Sequence, residues 1–164
     1  MRYLITFACY GAHLHGDADG SVDRSHNQPG SRRLPADRKQ VEFEGHLMDQ
    51  RPYLLDGESR AIVLNAMREV CSNRGWSLLA AHVRKNHVHA VVEAEAQPER
   101  VMNSFKSYAS RGLNRASLGD ANRKRWARHG STRCLWNDDE VRSAVRYVIE
   151  QQGEPMAIFC GREI

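Results

Sequence analysis

The stretch Asn86-His87-Val88-His89-Ala90-Val91-Val92 constrains this chain more than any other. A polar Arg84-Lys85-Asn86 turn precedes it and Glu93 follows the apolar run. An apolar, β-branched run after a polar turn predicts a strand, and residues i and i+2 of a strand point to one face. Both imidazoles then project side by side from one side of a sheet, where they can grip one divalent metal ion. The rest of the chain has to supply that sheet and whatever else meets the pair.

Residues 2–9 mix aromatic and β-branched side chains and read as a first strand. A helix is expected over Ser59–Asn73, with Ile62, Val63, Ala66, Met67, Val70 and Cys71 as its apolar stripe, Asp56 as cap and Gly75 as stop. Residues 76–83 read as a second strand, antiparallel to a third over 87–94. His82 is placed at the opposite parity to the pair and reads as a packing or edge residue. Pro98 opens a second helix over about 99–117, with Val101, Phe105, Tyr108 and Gly112 on its apolar face. Ser131–Trp136 reads as a fourth strand. Asn137 then caps a last helix, Glu140 completes a capping box, and Gly153 and Pro155 stop it after Gln152.

This order predicts an α+β fold: a ferredoxin-like, antiparallel four-stranded sheet with helices on one face, plus a C-terminal helix. The whole chain, 1–164, reads as a single domain with a long loop or insertion at about 11–55. A second histidine pair, His13-Leu14-His15, falls in that loop between Gly11 and Gly16, with no strand to orient it, and reads as a decoy.

Composition narrows the class. With 164 residues, 41% hydrophobic and 27% charged, the chain can bury a core without staples. Cys9, Cys71, Cys134 and Cys160 are scattered without a CxxC pair, which argues against a zinc ribbon or disulfide framework and for a reducing, cytoplasmic setting. No apolar run approaches a membrane span, and residues 1–7 are too short and β-branched for a signal peptide, so no membrane partner is expected. The net charge is +4, yet Arg111, Arg115, Arg123, Lys124, Arg125, Arg128 and Arg133 stand against Asp120 alone, so 111–133 carries +6 and the remainder −2. A basic patch on a mildly acidic body suits a polyanion, nucleic acid first. Trp126 and Trp136 either stack on unpaired bases or are buried.

The last helix carries Val141, Ala144, Val145, Val148 and Gln152 on its apolar stripe. Tyr147 lies off it, on a polar face with Glu140, Ser143 and Gln151. A phenol attacks a phosphodiester when a metal polarises the phosphate oxygens. Two imidazoles and an amide oxygen leave open positions on an ion for those oxygens. The rival tyrosine, Tyr108, sits in the apolar stripe of its helix.

The block Asn86–Val92 resembles the histidine–hydrophobic–histidine (HUH) motif of single-tyrosine HUH endonucleases. Chain length and element order resemble the insertion-sequence transposases, in particular the REP-associated tyrosine transposase branch. The tail Trp136-Asn137-Asp138-Asp139-Glu140, followed by Val145-Arg146-Tyr147-Val148-Ile149-Glu150-Gln151, is similar to that family's C-terminal helix. The resemblance spans residues 1–159 apart from about 11–55. It implies His87, His89 and Gln151 as metal ligands, Mg²⁺ or Mn²⁺ as the ion, and Tyr147 as the nucleophile. Single-stranded or hairpin DNA would be cut to leave a 5′-phosphotyrosine and a free 3′-hydroxyl, and a homodimer is compatible with the family. Arg-Lys-Asn replaces the usual Met-Pro-Asn turn, Gln151-Gln152-Gly153 replaces the usual Asn-Pro, and the loop after the first strand is unusually long.

Two other classes compete. A domesticated DNA-binding protein would keep the fold and the patch without cleavage. A histidine-strand hydrolase would need a third alternating histidine where Val91 stands, or a far longer chain.

Overall fold

The computed structural model describes residues 1–12 and 49–161; the His13/His15 pair and most of the expected 11–55 insertion lie outside them. In chain order the elements are β1 (Arg2–Cys9), α1 (Gly57–Arg74), β2 (Ser77–Val83), β3 (His87–Glu93), α2 (Pro98–Arg115), β4 (Trp126–Leu135), α3 (Asp138–Glu150) and β5 (Ala157–Cys160). The strands form one antiparallel sheet in the order β4-β1-β3-β2-β5. The α+β plan is as expected, with five strands instead of four. The extra strand, β5, is only four residues long and pairs at the edge with β2, too short to announce itself after Gly153 and Pro155. β4 begins five residues earlier than expected because its first half, Trp-Ala-Arg-His-Gly, has no apolar alternation.

Alternation along the strands sorts side chains into two layers. Tyr3, Ile5, Phe7 and Cys9 of β1 and Val88, Ala90 and Val92 of β3 pack with α1 and α2. Leu4 of β1 and Val91 of β3 turn the other way, where Val141, Ala144 and Val148 of α3 cover them together with Ala80 and Leu135. Of the described helices, α3 is the one on the face that carries His87 and His89.

The helix ends follow the sequence. Asp56 accepts from the Ser59 amide at 2.8 Å, and Gly75 ends α1 in the left-handed region that costs glycine least. Asn137 accepts from the Glu140 amide at 2.9 Å, while Glu140 reaches back to the Trp136 amide at 2.7 Å, one residue further than in a standard capping box. Trp136 is pushed outward, 71% exposed. Trp126 instead packs edge-on against Phe7 and donates its indole N–H to Lys106 O and Ser110 Oγ.

Candidate active site

Three adjacent strands, β1, β3 and β2, build the histidine face. His87 and His89 sit 4.8 Å apart between ring centroids, as i and i+2 of β3 require. The register pairs His89 with Thr6 on β1 and with His82 on β2. His82 thus shares the face of the pair, contrary to the parity expected from sequence. The reason is the two-residue Lys85-Asn86 turn, which sets Arg84 opposite His87, a register the sequence does not display; the Arg84 amide donates to His87 O at 2.9 Å.

Each imidazole of the pair is oriented by an oxygen. Asn86 Oδ1 lies 2.6 Å from His87 Nδ1, and because that oxygen only accepts, the ring proton sits on Nδ1. Thr6 Oγ1 lies 2.8 Å from His89 Nδ1. His89 is 5% exposed, and its Nε2 is buried without a hydrogen-bond partner. Burial pushes the His89 pKa down to about 3; charges at His87, His82 and Arg84 add to the effect, while the Gln152 amide opposes it. Thr6 Oγ1 can accept from or donate to Nδ1; in the tautomer where it accepts, the buried, unpartnered Nε2 carries the lone pair with which a neutral histidine holds a metal. His87 and His89 therefore fit such a role. Among the described residues no three His, Cys, Asp or Glu side chains converge on an ion, so further donors would have to be of another type.

α3 brings Tyr147 to the pair. Its ring centroid is 5.7 Å from that of His89, the rings nearly perpendicular, and the residue is 36% exposed, so the phenol is open to solvent beside the imidazole. His82 fastens the end of this helix. Its Nε2 accepts from the Met156 amide at 3.1 Å, so its Nδ1 proton points to Val148 O at 3.2 Å. Burial lowers the His82 pKa, the Val148 carbonyl opposes that, and Arg84 adds to it. Tyr108 belongs to α2, half-buried in the layer across the sheet, with Arg111 stacked 4.4 Å over its ring. Tyr147 is the tyrosine beside the histidines.

The amides at the helix end divide. Gln151 is the C-cap residue, exposed, with its backbone N–H on Tyr147 O at 3.2 Å. Gln152 is half-buried, and its Nε2 donates to the same carbonyl at 3.3 Å. Thr6, Asn86 and Gln152 were not singled out from sequence as parts of the site. Gln152 continues the expected apolar stripe in sequence, although the helix itself ends at Glu150. Arg84 also borders the site: its guanidinium lies against Gly153, and Nη1 is buried without a hydrogen-bond partner.

The basic residues do not form one patch. Arg125 is 3% exposed and donates to Asn114 Oδ1, Leu118 O and Asp120 O; it ties its own loop together and offers nothing to a phosphate. Arg123 is held by Gln50 Oε1 and Arg51 O, and Lys124 pairs with Asp49 at 2.6 Å. Arg111, Arg115, Arg128 and Arg133 are exposed, the first two on α2 across the sheet and Arg133 on the histidine face, opposite Leu4. His129 is exposed at the bend of β4. All four cysteines are unpaired, and no described helix is long and apolar enough to cross a membrane.

Comparison with known proteins adds the family. No curated protein matches the chain. Among solved structures, a REP-associated tyrosine transposase bound to a REP hairpin shares 11% identity at a TM-score of 0.49, over 92% of this chain and 65% of that one. This chain thus spans about 65% of that protein's length. A Deinococcus radiodurans R1 protein described as a transposase shares 14% identity at a TM-score of 0.46, over 93% of this chain and 90% of that one. The family model "Transposase IS200 like" matches residues 46–151, well over half of the chain and inclusive of β2 through α3. On that match, the chain belongs to the IS200-like transposase family.

Proposed function

We propose that this protein is a metal-dependent endonuclease and strand transferase for single-stranded DNA, hairpin-bearing strands included, with Tyr147 as its nucleophile. The observation that carries the reading is the meeting of two separate elements: an exposed phenol from α3 stands 5.7 Å, ring to ring, from an imidazole whose Nε2 is buried and unpartnered. Structural histidines satisfy both nitrogens, as His82 does with Val148 and Met156.

His87 and His89 would hold Mg²⁺ or Mn²⁺, with an amide oxygen from the end of α3. When bound, such an ion polarises the phosphate oxygens and offsets charge that develops at phosphorus. The chain's own residues do the rest. Asn86 fixes the tautomer of His87, Thr6 orients the ring of His89, and His82 holds the end of α3 so that Tyr147 stays over the site. The Tyr147 oxygen attacks phosphorus and the bond from phosphorus to the 3′ oxygen breaks. The electron pair leaves with that oxygen, which takes up a proton, while the phenolic proton passes to solvent. The products are a 5′-phosphotyrosine and a 3′-hydroxyl; attack by another 3′-hydroxyl on the phosphotyrosine completes strand transfer. Arg111, Arg115, Arg128 and Arg133 are the exposed cations available to phosphates. Arg123, Lys124 and Arg125 are left out because protein groups already occupy them.

Incubation with a hairpin-bearing single strand and Mn²⁺, followed by a denaturing gel, tests the proposal. A covalent band is expected for wild type and Tyr108→Phe and none for Tyr147→Phe. Tight DNA binding without an adduct would establish the non-cleaving protein instead.

A further inference from the structure

A cation stands beside the histidine pair with nothing to hold. Arg84 closes the β2–β3 turn, its amide donating to His87 O at 2.9 Å. It lies two residues beyond His82, so it shares the face of His82, His87 and His89. Its side chain reaches the segment that follows α3, where Nη1 and Nη2 each stand 3.5 Å from the position a side-chain carbon on Gly153 would take. Nη1 is buried, yet no hydrogen bond or ion pair of the Arg84 side chain occurs among the described residues.

Burying part of a guanidinium without an acceptor costs free energy, and folded proteins pair such groups. Arg125 shows the usual solution, with Asn114 Oδ1, Leu118 O and Asp120 O as its acceptors. Arg84 has candidate acceptors near by: α3 ends in free carbonyls and has no basic residue in its own last turn. None of these carbonyls accepts from Arg84, so the side chain is not a helix cap. It is a permanent charge, left open on the face where two imidazoles and a phenol meet, and its acceptor has to come from outside. A planar fork of N–H donors matches two oxygens of one phosphate.

We propose that Arg84 binds the DNA phosphodiester presented to His87, His89 and Tyr147, and offsets the charge that builds on it as Tyr147 attacks. The inference rests on the cleavage reading above, and binding measured without metal separates the two. Full-length protein is titrated in EDTA with a hairpin-bearing single strand in which a neutral methylphosphonate replaces one linkage at a time. Affinity is followed by fluorescence anisotropy, and the linkage that is cut is identified separately in the Mn²⁺ reaction. In wild type, neutralising the cut linkage is expected to weaken binding about tenfold. Arg84→Met is expected to lose about tenfold on the unmodified strand and less than about twofold more when that linkage is neutral, because the contact is already gone. Arg84→Lys, which keeps the charge without the fork, is expected to retain part of this coupling. A folding loss weakens binding to every strand alike. Losses that multiply in full at every linkage therefore mark a structural role and overturn the inference, as does coupling at a linkage other than the one cut. If wild type cuts no strand, the cleavage reading falls; coupling at a single linkage then still upholds Arg84 as a phosphate ligand, and its absence overturns both.

Discussion

His89 is where burial, tautomer and charge act on one side chain. Its pKa is pushed down to about 3 and that of His82 is lowered as well, both by burial first. Unfolded, each histidine titrates near 6.5. The unfolded chain therefore takes up protons that the native state refuses, so these two residues oppose folding as pH falls below about 6.5 and contribute no penalty above it. Metal-free protein is predicted to lose up to about 1.4 kcal/mol per pH unit through His89 between pH 6.5 and 5, with His82 acting in the same direction. Urea melts at pH 7.5, 6.5 and 5.5 check this, and a flat profile would contradict it. Thr6 acts one bond further out. Thr6→Val keeps the shape but removes the oxygen at His89 Nδ1, and Mn²⁺ affinity is predicted to fall roughly 10–100-fold with little change in melting temperature. His87 and His89 were legible because a strand's period of two needs no tertiary information. His82 was not, because its face depends on where the turn falls, and one residue of register reverses every side chain.

α3 was legible in outline for the same kind of reason: its cap, its stripe and the off-stripe position of Tyr147 are all local. Where its last turn ends is set by contacts such as His82 with Val148 O, made 66 residues away in sequence. β5 was missed for want of length, and the lower half of β4 for want of apolar alternation. That half of β4 also carries a packing constraint on the site. A Cβ on Gly130 would stand 2.5 Å from the backbone oxygen of Thr6 and from Met102 Sδ. Gly130→Ala is predicted to cost at least about 1–3 kcal/mol in denaturant melts, since the backbone oxygen cannot step aside as a side-chain end can. A neutral result would mean that β4 lies further from β1 than described.

For the molecule as a whole, one sheet face carries the histidines and α3, while the exposed arginines are divided between the two faces. Sequence charge pointed to a single basic run because it counts residues without their partners; Arg125 and Arg123 turn out to be engaged within the protein. Single-strand binding through Arg111, Arg115, Arg128 and Arg133 would give a log–log salt slope near −3, at about −0.7 per contact, or roughly a fifty-fold loss between 50 and 200 mM salt. Arg133→Ala is predicted to reduce that slope by about 0.7. Arg125→Ala is predicted to leave the slope alone and lower stability by about 1–3 kcal/mol. The central claim, that α3 delivers the nucleophile to the histidine face, is tested most directly by locating the covalent bond. Protein reacted with a single-stranded hairpin and Mn²⁺ is digested with trypsin and nuclease, and the nucleotide-bearing peptide is identified by mass spectrometry. The account predicts the added nucleotide on peptide 147–162, at Tyr147. A nucleotide on Tyr108, or DNA cleaved with no modified peptide at all, would contradict it.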